Sequence, residues 1–175
     1  MRGHQSERLA RWAGLAIGVA VMTALVMAAR IPAGRGSIGA DVTVIALPAG
    51  TVSLDHSGSV LQANDMRPGV AAHVAQRGSF RITNITDHAV NVHVHALPSL
   101  KTLDDQLHAS VRAGRHTLLR GPVGALGGWS PRSILLGPGG SAEVDVAVWL
   151  PVSASGYQGA IEDVSLEFHT RRVGG

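Results

Sequence analysis

Apolar residues are arranged along this chain in two ways. From Trp12 to Ala29 they run without a charge, WAGLAIGVAVMTALVMAA. Coiled as a helix, that run would span roughly 27 Å, near the hydrocarbon thickness of a bilayer. From Asp41 onward, apolar and polar residues alternate over short stretches broken by Gly, Pro, Asn and Asp. Alternation with period two is the pattern of half-buried strands.

The alternating stretches predict strands. DVTVIAL (41–47) is short and rich in β-branched residues, and Pro48-Ala49-Gly50 turns the chain after it. Residues 51–63 predict two strands joined at Ser57-Gly58, and Asn64 to Gly69 predicts a turn. In the next strand Phe80 and Ile82 share one face, with Ser79, Arg81 and Thr83 on the other; Asn84 to Asp87 predicts a turn. Val90, Val92 and Val94 oppose Asn91, His93 and His95, and Val144, Val146 and Val148 share a face. Val164, Leu166 and Phe168 point inward in a closing strand, opposite Glu167 and His169. Leu103, Leu107 and Val111 recur at helical spacing, so 101–112 predicts a short helix, followed by an irregular Gly-rich stretch to about 131. The fold class expected is all-β: an antiparallel β-sandwich or jelly roll with a short helical insert, preceded by an N-terminal apolar helix.

Charge placement fixes the orientation of the leader. Arg2, Arg8 and Arg11 precede the apolar run, and positive flanks stay cytoplasmic, so the remainder is expected outside. Residues 1–30 are read as a signal peptide or a retained membrane anchor, 31–40 as a linker, and 41–172 as the exported domain. Small residues at Met27-Ala28-Ala29 and Ser37 to Ala40 suit cleavage, whereas the length of the run suits retention. Localisation is therefore secreted or cell surface, with a membrane contact through 12–29 if the leader stays attached.

Composition narrows the function. The chain has 15 basic and 12 acidic residues, but five arginines and one acid lie in residues 1–40. Beyond them the balance is 10 − 11 = −1, which lacks the basic face that nucleic acid requires. There is no cysteine, which excludes disulfides, Cys-ligated zinc and a thiol nucleophile. Neither His-Glu-x-x-His nor Gly-x-Ser-x-Gly occurs.

One candidate chemistry remains. His93 and His95 lie on one strand face, where such a pair can chelate zinc or copper, with His88, Asp87 or His169 as a third ligand. The alternative is a solvent-facing polar row. Asp104-Asp105 reads as a charge pair at a helix start. A second candidate is the strand 41–47 itself: following a flexible linker, it can pair in its own sheet or add to a neighbour's through Val42, Val44, Ile45 and Leu47.

The order of several short segments resembles the TasA/camelysin family of exported Gram-positive proteins. They are Gly50 to Leu54, Met66-Arg67-Pro68-Gly69, Phe80 to Asn84, Val90 to His95, Ile134 to Gly139, Trp149-Leu150-Pro151 and Tyr157-Gln158-Gly159. The resemblance implies a jelly-roll domain at the cell surface or in a biofilm matrix, in which a strand of one subunit completes the sheet of the next. It also implies a second activity, since camelysin-type members are described as surface metalloproteases. This chain departs from the family in its shorter middle insert and its Thr170-Arg171-Arg172 ending. The expectation is a non-enzymatic surface or matrix protein without a cofactor, whose partners are copies of itself or other surface proteins. The alternatives are a metal-dependent peptidase and a monomeric anchored binding module.

Overall fold

In a computed structural model, residues 38–56, 58–97, 103–155 and 160–174 are described. The apolar run 12–29 and Tyr157-Gln158-Gly159 lie outside them. Ten strands follow in order: β1 (Ile38–Leu47), β2 (Val52–Leu54), β3 (Gly58–Met66), β4 (Gln76–Asn84), β5 (Val90–Leu97), β6 (His108–Ala113), β7 (His116–Pro122), β8 (Ile134–Leu136), β9 (Ser141–Trp149) and β10 (Ile161–Arg172). Among the described residues, one helical turn, α1 (Ala71–Val74), and a 3₁₀ turn at Val123–Ala125 complete the elements.

The strands form two five-stranded sheets, ordered β3-β1-β10-β5-β8 and β2-β4-β9-β6-β7. The fold is all-β, as the alternating pattern requires. Among the described strands every ladder is antiparallel except one: β1 runs parallel to β10, from Gly39 opposite Ile161 to Leu47 opposite His169. The two inner faces supply one core. Val92 and Val94 of β5, Val144, Val146 and Val148 of β9, and Leu166 and Phe168 of β10 are fully buried. Phe80 and Phe168 meet edge to face between the sheets at 5.3 Å, a geometry that aligns a positive ring edge with a negative ring face.

The structure corrects four expectations. Of the helix expected over 101–112, the described part, 103–112, contains none: Leu103–Gln106 is a turn, closed by the Leu107 amide donating to the Leu103 carbonyl at 2.8 Å, and β6 follows. Leu107, Ala109 and Val111 are all buried at alternate positions, so the operative period is two, and the small Ala109 concealed it. The Gly-rich stretch contains β7, whose pairing with β6 bends at a register shift. The turn expected at Asn64 begins later, because β3 continues to Met66 through a bulge with Asp65 at φ 53°. Finally, β1 starts at Ile38, so the last three residues assigned to the linker are in the sheet, with Ile38 and Ala40 buried.

The strand expected to mediate assembly is also revised in detail. Val42 and Val44 are inward, at 0% and 4% exposure, while Ile45 is outward at 43% and Leu47 is half-buried. Alternation makes one buried set of all four impossible. β1 lies between β10 and β3 and is hydrogen-bonded on both sides within its own chain.

Candidate functional site

The outer face of the first sheet carries the titratable residues that alternation pushes out of the core. β5 presents Asn91, His93 and His95 there, and β10 presents Ser165, Glu167 and His169. The antiparallel register sets Glu167 directly opposite His95 and His169 directly opposite His93. Four polar side chains on two adjacent strands therefore form one block.

Within that block, His95 Nε2 and Glu167 Oε2 are 2.7 Å apart, with the two side chains 15% and 19% exposed. His169 Nε2 stands 3.9 Å from the same Glu167 oxygen. His93 Nδ1 lies 3.3 Å from the Ser130 carbonyl, which accepts when that nitrogen carries the proton.

Trp129 covers the block. Its ring stacks on His95 with centroids 4.1 Å apart and planes 18° apart, and meets His169 edge to face at 4.6 Å. The adjoining Ser130 holds it there. Ser130 exchanges backbone and side-chain bonds with Val94: its amide donates to the Val94 carbonyl at 2.8 Å, and its Oγ accepts from the Val94 amide at 3.1 Å. Its hydroxyl donates to the Arg132 carbonyl at 2.7 Å. A buried serine fastened at three points thus fixes an indole that is itself 50% exposed.

The sequence-derived pair His93 and His95 is brought to one face, as alternation requires. Of the proposed third ligands, His169 joins the block, whereas His88 and Asp87 pair with each other at 2.8 Å. Glu167 was legible as outward-facing, but its register opposite His95 was not; Trp129, in an unpatterned stretch, gave no signal. Among the described residues, no group of three or more His, Cys, Asp or Glu side chains is placed to hold a metal ion. Asp104 and Asp105 lie in the turn after Leu103 rather than at a helix start.

Elsewhere an open groove of about 500 Å³ is lined by Leu118, Ile134, Leu135 and Ala142 together with His116 and Glu143.

These features define an all-β, two-sheet domain with an imidazole-carboxylate-indole block on one outer face. No family model matches the chain, and no curated protein matches it. Among solved structures it is similar to the ASH/PapD-like domain of human CEP192 (PapD-like domain 7), at 13% identity, over 82% of this chain and 89% of that one, with a TM-score of 0.28. A likeness that weak carries no argument about function. Among the described residues no helix is long and apolar enough to cross a membrane.

Proposed function

We propose that the chain is an exported, non-enzymatic surface or matrix protein of TasA-like type, whose copies associate by exchanging β1. The observation supporting this is the placement of β1. It is the first strand after the apolar leader and linker, yet it fills a slot between β10, the last strand, and β3. Both walls of the slot are contributed by residues later in the chain, so a β1 from another copy makes the same backbone bonds and buries the same Val42 and Val44.

Energetics decide when exchange wins. The contacts in cis and in trans are identical, so their balance is set by concentration. A strand tethered through residues 48–51 has an effective concentration on the order of millimolar. Dilute protein therefore keeps β1 at home, whereas copies crowded on a membrane or in a matrix reach the density at which exchange competes.

The absence of cysteine makes the test clean. Thr43 is directly opposite Ser165, and their hydroxyls are 3.2 Å apart. Full-length Thr43→Cys and Ser165→Cys chains, each carrying a different tag, are mixed at high density on vesicles and oxidised. A disulfide between the two tags is expected there and not in dilute detergent, and a Thr43→Cys with Ser141→Cys mixture supplies the collision background. Cross-linking no greater than that background rejects exchange.

A further inference from the structure

The outer face of the second sheet carries charge that neither packing nor strand exchange uses. Its rows follow from register. Arg77 of β4 is opposite Ala147 of β9, Ala147 is opposite Ser110 of β6, and Ser110 is opposite Arg120 of β7. In the adjoining row Asp145 of β9 is opposite Arg112 of β6. The small Ala147 and Ser110 leave a hollow of about 170 Å³, which Arg77, Arg112 and Asp145 line with them. β4 and β6 are two strand spacings apart across β9, about 10 Å, so the two arginines reach the hollow from opposite sides.

Among the described residues neither Arg77 nor Arg112 makes an ion pair, although Asp145 shares the hollow with them. Each exposed guanidinium therefore keeps its planar fork of N–H donors for another partner. Two guanidiniums against one carboxylate leave the hollow positive. Arg120, whose Cζ stands 5.8 Å from the centre of the Trp149 ring, adds a cation at the far rim. One row further along, Arg81 is opposite Glu143 and the two charges offset each other. The positive excess is thus confined to one spot of a domain whose balance is −1, too small a footprint for nucleic acid. A hollow of 170 Å³ is also below the roughly 300 Å³ at which pockets for whole organic ligands begin, so it suits a charged group rather than a complete molecule.

We propose that Arg77, Arg112 and Ser110 bind one phosphate group on the outer face of the second sheet. The guanidiniums take its oxygens from two sides, and the Ser110 hydroxyl donates from the floor. A tetrahedral oxyanion can meet all three, whereas the two coplanar oxygens of a carboxylate are filled by a single fork. Asp145 opposes the anion and keeps the affinity modest.

The test uses the purified full chain in nonionic detergent at low salt, titrated with glycerol phosphate and followed by the arginine Nε–H resonances. A saturable one-to-one shift of Arg77 and Arg112 is expected. Arg77→Gln and Arg112→Gln each weaken binding about tenfold, the scale of one lost charge-assisted hydrogen bond. Asp145→Asn tightens it about threefold, the scale of an exposed charge contact. Arg115→Gln and Arg132→Gln, exposed arginines outside the hollow, leave it unchanged. Acetate displaces glycerol phosphate poorly. Phosphatidylcholine nanodiscs with and without phosphatidylglycerol distinguish the sources of the group: an apparent affinity lowered by phosphatidylglycerol assigns it to a lipid headgroup, and an unchanged one to a phosphate away from the bilayer. The proposal is overturned by the absence of a saturable one-to-one shift, by unaltered affinity in the Arg77 and Arg112 variants, by equal loss in the Arg115 and Arg132 variants, by weaker binding in Asp145→Asn, or by acetate competing as well as phosphate.

Discussion

Asn84, fully buried at the end of β4, offers the sharpest test of how this fold is held together. Its side-chain amide donates towards the carbonyls of His88, Leu136 and Gly137 at 2.8, 3.1 and 2.9 Å. Its Oδ1 accepts from the Thr86 amide at 2.9 Å and the Thr86 hydroxyl at 2.7 Å. One side chain thereby joins the end of β4, the β4–β5 turn and the exit of β8. Replacement by Ala removes five contacts. At about 1 kcal/mol net each they would total ~5 kcal/mol, but two amide hydrogens serve three carbonyls, so roughly 3 kcal/mol is expected. For a domain of this size that lowers Tm by about 10 °C. Asn84→Asp separates hydrogen bonding from shape. It keeps the acceptor for Thr86 but turns a carboxylate oxygen towards three carbonyl oxygens, so it is expected to be at least as damaging as Ala. Thr86→Val removes only the hydroxyl part and costs about 1 kcal/mol. Urea unfolding followed by far-UV circular dichroism measures all three. A loss under ~0.5 kcal/mol for Asn84→Ala, within the range of ordinary surface changes, refutes the reasoning, as does an Asp variant milder than Ala.

Three further outcomes follow from the packing. Val42→Ala is expected to cost about 2 kcal/mol in the same assay, from lost burial plus the cavity, whereas Ile45→Ala, on the outward face of the same strand, stays within about 0.5 kcal/mol. Gly78→Ala places a Cβ into the Val60 carbonyl of the neighbouring sheet; because the obstacle is backbone, a loss of about 2 kcal/mol is expected. Burial, and secondarily the Arg120 charge, hold the His108 imidazole below its ordinary value of 6.5. The unfolded chain then binds the proton more readily, so the His108 contribution is intact above 6.5 and is lost as pH falls below it. His108→Gln should flatten that part of the melting-temperature profile, and an unchanged slope would contradict it.

How legible these features were depended on what kind of signal each residue gives. Val90, Val92 and Val94, and likewise Val144, Val146 and Val148, announce strands because large β-branched residues alternate with polar ones. β6 was concealed because Ala109 is small and Leu103, Leu107 and Val111 also satisfy a helical spacing; the two periods share positions four and eight apart. β7 was concealed by glycines on both sides of it. The imidazole-carboxylate block shows a deeper limit. Alternation placed His93 and His95 on one face, and Glu167 and His169 on another, but which strands lie side by side depends on sheet order, and β5 and β10 are far apart in sequence. Trp129 owes its place to Ser130, whose bonds to Val94 form only once the loop meets the strand.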